Sequence, residues 1–333
     1  MDALASVPVA THRCIAVLGE RIIDLVPGAG AREFVALPGG SPANVALALA
    51  RLGLDPLLLG RRAEDGFAEA LDDNLRASGL GLEGLIDADG VSMLAVCTPD
   101  ATGSMTYAFY ASDSPDLRWT AADLDLARSL MIDKGAVAWH TGSLVSYLGV
   151  GTELLFQAWQ QARSDGRVTL SYDPNARPHA LAAPETRAHV ERFALTAHLV
   201  KASEEDLAYC YPEVSPEQVC ARWAETGPVI VVLTRGPGGA TVWQRGHAPV
   251  DVPAPAVTVV DTVAAGDTLM AGLLAGLADW FGPDCESRLC QVDSHELAGV
   301  VKRAVWAAAL TCTRAGAQPP TLTELDAFCA EAD

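Results

Sequence analysis

The sequence lacks any uncharged apolar run of about 18 residues, the length that a membrane-spanning helix needs. Residues 1–13 also lack an apolar stretch long enough for a secretory signal. Basic residues are scarce, since 23 lysines and arginines stand against 42 acidic residues and leave a formal net charge of -19. Nucleic acids and anionic membranes would repel such a chain, so we expect neither as a partner and predict a cytoplasmic protein.

Cysteines are present, but their spacing is not that of a metal site. The eight cysteines include no Cys-x-x-Cys pair, and the spacing of Cys285 and Cys290 is unlike that of zinc ligands. Cys14, Cys97, Cys220 and Cys312 lie in apolar stretches, which predicts mostly buried, reduced thiols. The chain is 50% hydrophobic and 20% charged over 333 residues, enough for a large core in one α/β domain or in one domain with an excursion.

Two common nucleotide-binding sequences are absent. No Gly-x-x-x-x-Gly-Lys-Ser/Thr stretch occurs, and the glycine-rich residues 28–33 lack the third glycine and the preceding strand of a dinucleotide fold. A nucleotide would therefore have to be held by backbone amides, a metal ion and a few basic residues.

Short β-rich runs alternate with amphipathic helical patterns along most of the chain. Such alternation predicts parallel βαβ units, whose ligands bind at the carboxyl ends of the strands. Polar residues follow these runs, as expected for a site at that edge. The predicted strands are 14–18, 57–60, 137–140, 168–173, 198–203 and 229–234.

Two segments interrupt this alternation. Residues 21–37 and 91–118 contain extended patterns, the second with a predicted hairpin turn at 99–103. Tyr107 and Phe109 fall on one face of that hairpin. We predict that the two segments form a small β-lid, and an edge hairpin with ordinary aromatic packing is the alternative.

Residues 257–267 read as a strand, a loop of small residues and the start of a helix. The strand is predicted at 257–260, and the helix begins at about Gly266 or Asp267. The first amides of a helix have no intrahelical partner, so Ala265, Gly266 and Asp267 can donate N–H groups to a phosphate. The alternative is that Asp267 only complements the helix dipole.

A pair of glycines precedes a second predicted helix. Gly39 and Gly40 permit close approach of a polyhydroxylated ligand, and Ser41 is the predicted N-cap of the helix. Asn44, one turn further, offers a donor and an acceptor to hydroxyl groups. An ordinary tight turn followed by a solvent-facing polar residue is the alternative.

Together the two helix starts resemble the two signatures of the ribokinase-like (PfkB) sugar kinases. The matching stretches are Gly39-Gly40-x-x-x-Asn44-x-Ala46 and Asp261-Thr262-x-Ala264-Ala265-Gly266-Asp267. The resemblance extends over nearly the whole chain. It implies one α/β domain over residues 1–333, with three α/β/α layers, a central, mostly parallel sheet and a small β-lid that covers a sugar and can pair with a second subunit.

The resemblance also implies an activity. An ATP-dependent sugar kinase would transfer the γ-phosphoryl group to a primary hydroxyl, converting D-fructose to fructose 6-phosphate. Asp267 would be the base, with Ala264, Ala265 and Gly266 around the transferring group. A kinase for 2-keto-3-deoxygluconate or a nucleoside remains open, as does a silent sugar- or nucleotide-binding regulator.

Further stretches are similar to binding segments of this family. Residues 173–178 are similar to the Asp-Pro-Asn-x-Arg-Pro segment of fructokinase-like members, which favours fructose. The implied sugar residues are Asp24, Gly39, Gly40, Asn44, Phe109, Asp173, Asn175 and Arg177. The implied nucleotide residues are Lys201, Ser203, Thr234, Gly236, Gly239, Cys312 and Gly316. Asp206 or Glu205 would orient Mg²⁺ through water, and Asp261 and Thr262 could hold K⁺.

The chain departs from the family pattern at two loops. Ala264 stands where family members have glycine, and Ala63 falls within a second altered glycine motif at 60–65. If position 264 needs a positive φ, its methyl group would cost roughly 1 kcal/mol or more.

Overall fold

The computed structural model describes residues 13–28, 30, 32–99, 105–178 and 180–332. Within these ranges the chain forms two sheets. The strands are β1 Cys14–Leu18, β2 Ile22–Pro27, β3 Phe34–Gly39, β4 Asp55–Arg62, β5 Leu85–Asp87, β6 Met93–Pro99, β7 Met105–Tyr110, β8 Ala138–Gly142, β9 Thr169–Asp173, β10 Leu199–Ser203, β11 Ile230–Thr234, β12 Ala240–Gln244 and β13 Val250–Val252.

The helices follow the predicted alternation with strands. They are α1 Ser41–Arg51, α2 Gly66–Ala77, α3 Ala121–Asp133, α4 Thr152–Asp165, α5 Ala183–Thr196, α6 Glu204–Cys210, α7 Pro216–Thr226, α8 Ala265–Leu277, α9 Cys285–Cys290, α10 Ser294–Cys312 and α11 Leu322–Ala332. In the described part of the chain, none of them has the length and apolar character needed to span a membrane.

The larger sheet has the strand order β13-β12-β11-β10-β9-β8-β1-β4-β5. Its neighbouring strands are parallel except at β12, which is antiparallel to β11 and β13. Successive side chains of β1 point to opposite faces, so Ala16 packs in one apolar cluster while Ile15 and Val17 pack in the other. Both faces are thus buried under helices, and the predicted three-layer α/β/α fold is confirmed.

All six predicted strands of this sheet are present, with boundaries within two residues of those expected. Runs of apolar, largely β-branched or aliphatic residues without polar alternation are typical of strands that are buried on both faces. The register then aligns the carboxyl ends of β1, β8, β9 and β10 along one edge. Polar residues that follow these strands are therefore brought to the same place.

The smaller sheet has the order β3-β2-β6-β7. Strand β2 is antiparallel to β3 and parallel to β6, which in turn is antiparallel to β7. Its strands come from the two predicted lid segments, 21–37 and 91–118. Most of the predicted hairpin turn, residues 100–103, lies outside the described residues.

The strand predicted at 257–260 was wrong. These residues are irregular, with Val259 and Val260 more than half exposed. The backbone N–H of Val260 donates to the carbonyl oxygen of Cys312, at 2.8 Å, instead of to a sheet neighbour. The segment connects β13 to α8 and is held by the end of α10, so tertiary contacts override the β-propensity of its valines.

Candidate active site

A cavity of about 310 Å³ lies between the lid, the carboxyl edge of the large sheet and the first turns of α1 and α8. It brings together most of the predicted sugar-binding residues. Its lining residues are Ile22, Asp24, Gly40, Ser41, Asn44, Tyr107, Phe109, Ser143, Leu144, Asn175, Arg177, Thr262, Val263, Ala264, Gly266 and Asp267. Gly39 and Asp173 lie close in sequence to lining residues, but neither of them lines the cavity.

Asp267 is held by two side chains from the other end of the chain. It lies in the first turn of α8 and is 8% exposed. The Ser41 hydroxyl donates to its Oδ1 at 2.7 Å, and the Asn44 amide donates to its Oδ2 at 2.8 Å. Each carboxylate oxygen has a second lone pair that these bonds leave free. The two sequence signatures therefore meet in one oriented carboxylate that faces the cavity.

The prediction of Ser41 as the N-cap was wrong. The N-cap of α1 is Gly40, whose φ of 103° lies in the region that favours glycine. A Cβ atom at Gly40 would approach the carbonyl oxygen of Glu20 to 2.6 Å, so a side chain does not fit there. With Gly40 as cap, the Ser41 hydroxyl is free to bond Asp267.

Ala264 adopts the left-handed conformation, with φ 60° and ψ 10°, as the N-cap of α8. The amide of Ala265 donates to the carbonyl oxygen of Thr262 at 3.2 Å and closes this turn. The N–H groups of Gly266 and Asp267 then begin the helix, where amides have no intrahelical partner. Of the three predicted phosphate-binding amides, these two have the geometry for that role.

Ala264→Gly should change kcat by less than about twofold. The loop already reaches its left-handed conformation, so removing the methyl group relieves roughly 1 kcal/mol of strain without redirecting the two amides. Glycine has more conformational freedom than alanine in the unfolded chain, which favours unfolding and offsets this relief of strain. The unfolding free energy should therefore stay within about 1 kcal/mol of its original value. Steady-state kinetics and urea unfolding measure both. A tenfold rise in kcat would show instead that the alanine displaces the amides.

Asp24 and Arg177 provide opposite charges within the cavity. Burial raises the pKa of Asp24 to about 6, the positive charge of Arg177 opposes this rise, and the carboxylate of Asp267 adds to it. A Cβ atom at Gly39 would lie 2.4 Å from Oδ2 of Asp24, so the glycine leaves the space that this carboxylate occupies. The pair can accept and donate hydrogen bonds to neighbouring hydroxyls of one ligand.

A buried ion pair lies beneath the first turn of α8. Asp173, the last residue of β9, is 1% exposed on its side chain, and its Oδ2 is 2.7 Å from Nζ of Lys201. Burial raises the pKa of Asp173 to about 6, although Lys201 opposes the rise. Burial alone would lower the pKa of Lys201, but the surrounding carboxylates outweigh it and raise that pKa. Nζ of Lys201 is 3.2 Å from the position of a Cβ atom on Gly266, which places a positive charge next to the two helix amides.

Of the predicted nucleotide residues, Lys201 and Ser203 lie at the end of β10, and the other five fall in two groups. The first group is Cys312 and Gly316, and Asp261 connects its two members. Oδ2 of Asp261 accepts the N–H of Gly316 at 2.8 Å, and the N–H of Asp261 donates to the carbonyl oxygen of Cys312 at 3.2 Å. Thr234 ends β11, and Gly239 follows with φ 85°. A Cβ atom at Gly239 would lie 2.1 Å from a backbone oxygen, so glycine is required there.

The second group is completed by Gly236, which lies on the same turn as Thr234 and Gly239. Gly236 is exposed and has φ 49°. Among the described residues, the turn at 234–239 forms no hydrogen bond with Asp261, Cys312 or Gly316. A ligand that contacts both groups would have to bridge them.

Asp206 accepts three hydrogen bonds from the protein. The backbone and hydroxyl of Ser203 donate to Oδ2 at 2.8 and 2.7 Å, and the N–H of Ala176 donates to Oδ1 at 2.7 Å. Ser203 is the N-cap of α6, so the capping alternative for this segment is present. Asp206 is 4% exposed, whereas Glu205 is exposed to solvent. Across the described residues, no group of three or more histidines, cysteines or acidic residues is arranged to hold a metal ion.

The predicted site residues do not include three lining residues that carry a hydroxyl group. Ser41 was assigned to a helix cap, Ser143 follows β8 at the carboxyl edge, and Tyr107 stacks on Phe109 with ring centroids 6.5 Å apart. The position of Ser143 after a strand, and the two-residue spacing of the aromatics, were the available signals.

Comparison with known proteins agrees with this geometry. The family model described as pfkB family carbohydrate kinase matches residues 13–324. A fructokinase from Rhizobium leguminosarum bv. trifolii is 33% identical over 264 residues, which are 78% of each chain. A Xylella fastidiosa fructokinase with bound ATP superposes with a TM-score of 0.85 at 26% identity, covering 96% of this chain and 98% of its own.

A second solved structure is that of a Vibrio cholerae O395 fructokinase in a form that contains fructose, ADP and calcium ion. It has a TM-score of 0.76 at 26% identity and covers 95% of this chain and 98% of its own. The family match, the extent of these alignments and the site geometry agree. The chain belongs to the pfkB family of carbohydrate kinases.

Proposed function

We propose that this protein is an ATP-dependent fructokinase that phosphorylates the 6-hydroxyl of D-fructose. The observation that carries the proposal is the Asp267 carboxylate, which Ser41 and Asn44 orient at the start of α8 in a cavity large enough for a single sugar. Relatives named fructokinase, and the Vibrio protein with fructose and ADP, support the choice of substrate.

Asp267 would act as the general base. As the new P–O bond forms, one carboxylate oxygen accepts the proton of the sugar hydroxyl, while Ser41 and Asn44 hold the carboxylate in place. The helix N–H groups of Gly266 and Asp267 would donate to the transferring phosphoryl group, where charge is spread over its oxygens. Lys201 adds a positive charge beside these amides.

The cavity also suggests how the sugar is held. Asp24 would accept and Arg177 would donate hydrogen bonds to hydroxyl groups of fructose, and Phe109 would pack against an apolar face of the sugar. Asn44 directs one amide N–H to Asp267, so its carbonyl oxygen and its second N–H are left for sugar hydroxyls. Asn175 would complete the site from the end of β9.

A nucleotide-bound Mg²⁺ would be held mainly by phosphates and water. The carboxylate of Asp206 accepts three protein donors out of about four lone-pair positions, which leaves room for one water that belongs to the metal. Glu205 is the exposed alternative. We also propose that the loop at Asp261 and Thr262 binds K⁺. The residues around Thr234 and those around Gly316 would bind the nucleotide. An activity titration with Mg²⁺ and K⁺ tests both ions.

We further propose a cytoplasmic homodimer that forms through the lid. Phe34 and Val35 are each 48% exposed and Leu37 is 39% exposed on β3, one of the two outer strands of the small sheet. An outer strand with apolar side chains is a surface that pairs readily with another chain. Among the described residues, the eight cysteines form no disulfide bond, in keeping with a reducing compartment. Sedimentation equilibrium at the mass of a single chain would contradict the dimer.

The substrate is tested by ADP release in the presence of different acceptors. With fructose, 2-keto-3-deoxygluconate and a set of nucleosides, we expect fructose to have the largest kcat/KM by at least about tenfold, the effect of one well-placed polar contact. A larger kcat/KM for another acceptor would replace fructose as substrate. No turnover with any acceptor, together with tight sugar binding by calorimetry, would favour a silent binding protein.

A further inference from the structure

Glu20 is a buried acid next to the sugar cavity that the proposed mechanism does not use. It follows β1 and is 0% exposed. Its carboxylate oxygens accept the backbone N–H groups of Leu144, at 3.4 Å, and Val145, at 3.2 Å. Among the described residues it forms no salt bridge, and burial raises its pKa to about 7. Burying a carboxyl group without a cation costs free energy. This cost suggests that the two hydrogen bonds to the backbone serve a purpose in the site.

The turn that Glu20 holds is strained at the residue facing the cavity. This turn, Ser143–Ser146, begins with Ser143 at φ 55°, and Asn175 on the neighbouring loop has φ 38°. Both residues line the sugar cavity, where the Asn175 amide donates to the Ser143 hydroxyl oxygen at 3.4 Å. Backbone in these regions is unfavourable for residues other than glycine and persists only where the surroundings hold it.

A hydrogen bond connects the turn that Glu20 holds to the second strained residue. Glu20 fixes the amides of Leu144 and Val145, which directly follow Ser143, and the Ser143 hydroxyl accepts from the Asn175 amide. Tyr147 fixes the other side of the same loop, because its hydroxyl donates to the carbonyl oxygen of Asn175 at 3.2 Å and accepts the N–H of Arg177 at 3.1 Å. The loop at 175–177 thus depends on the turn that Glu20 anchors.

We propose that Glu20 is a positioning residue of the sugar site: its carboxylate holds the strained turn at Ser143 and thereby sets the positions of Ser143 and Asn175 in the cavity. Glu20 is not among the residues that line the cavity, so its effect passes through the turn. The proposal rests on the proposed binding of fructose in this cavity.

Glu20→Gln tests this role with little change in size. Glutamine keeps one acceptor oxygen and loses the other, so the KM for fructose should rise about tenfold while the KM for ATP stays within about twofold. Glu20→Met, which removes both acceptors, should have a larger effect in the same direction. Glu191→Gln is the control, because Glu191 accepts bonds from Arg222 and Trp223 between α5 and α7. It should leave the KM for fructose unchanged.

Ser143→Ala provides an independent second variant. It removes the hydroxyl that connects the turn to Asn175 and leaves the buried carboxylate in place, so it should also raise the KM for fructose. In the double variant with Glu20→Gln, the two effects should be less than multiplicative, since both break one connection. If Glu20→Gln does not fold, an unchanged KM for fructose in Ser143→Ala overturns the proposal.

Two outcomes separate failure of this proposal from failure of the proposed function. If the unmodified protein phosphorylates fructose and the Glu20 variants alter the KM values for fructose and ATP equally, or alter neither, Glu20 is only structural. If the unmodified protein does not phosphorylate fructose, the proposed function fails, and the turn is then tested by calorimetric binding of the acceptor that it does use. Unaltered binding in both variants would again overturn the positioning role.

Discussion

Asp267→Asn should lower kcat by about 100-fold or more while the affinity for ATP stays within about twofold. Asparagine has nearly the same shape, but its amide cannot accept the proton of the sugar hydroxyl. The Ser41 hydroxyl can turn to accept an N–H from the new amide, so the local packing is retained. Coupled ADP assays give kcat, and calorimetry gives the dissociation constant of the nucleotide.

Asp293→Asn is a suitable control for this substitution. Asp293 also lies at a helix start, where its side chain caps α10 by accepting the N–H groups of His295 and Glu296. The substitution should affect stability slightly and leave kcat unchanged. An unaltered kcat in Asp267→Asn, with normal folding, would remove Asp267 from the role of base.

Asp24→Ala should weaken fructose binding by roughly 1.5–3 kcal/mol, the range for a hydrogen bond to a charged group, and leave ATP binding nearly unaltered. The carboxylate shares the cavity with Arg177, so its loss also removes a negative charge that interacts with that guanidinium. Calorimetric titrations with each ligand measure the two affinities. Equal weakening for both ligands would indicate a folding defect, and no change for fructose would place the sugar elsewhere.

The raised pKa of Asp24 predicts a pH dependence. Because burial raises this pKa to about 6, the group is ionised above that pH and accepts charge-assisted hydrogen bonds there. The KM for fructose should therefore rise as the pH falls through about 6. In Asp24→Asn the KM should be high throughout this range and should lose that dependence. A matching pH dependence in both proteins would assign it to another group.

The raised pKa of Asp24 also affects the stability of the fold, and its effect is opposite to that on sugar binding, because the neutral form is the one that favours folding. A carboxyl group whose pKa is raised by folding favours the folded state in its neutral form, and that contribution is lost as the pH rises through about 6. Asp24→Asn should therefore unfold at higher denaturant concentration than the unmodified protein at pH 7.5. We expect better stability and weaker sugar binding in one variant, as is common for residues at binding sites.

The fold could be predicted because its strands are local in the sequence. The runs at 14–18 and 229–234 are nearly continuous in apolar residues, and they became β1 and β11. The run at 257–260 has similar composition but no strand to pair with beyond β13, and composition alone cannot reveal that. Its conformation depends on Cys312, which lies about fifty residues away in the chain.

The site was predicted in part for the same reason. Each helix start with its small residues was visible in the sequence, and so were Asp24 and Asn44. The bond between Ser41 and Asp267 joins positions 226 residues apart, so the hydroxyl was assigned to the nearest local role, the helix cap. Ser143 and Asn175 become notable only through their positive φ values, which a sequence does not record.

The most direct test of the account is to incubate the unmodified protein with ATP, Mg²⁺ and D-fructose and to identify the products by phosphorus NMR. The predicted result is ADP together with a monophosphate on the 6-hydroxyl, formed in equal amounts, and no such product from Asp267→Asn at the same time. Tight binding of fructose without any phosphorylated sugar would contradict the account, because the oriented carboxylate of Asp267 would then have no chemical step to perform.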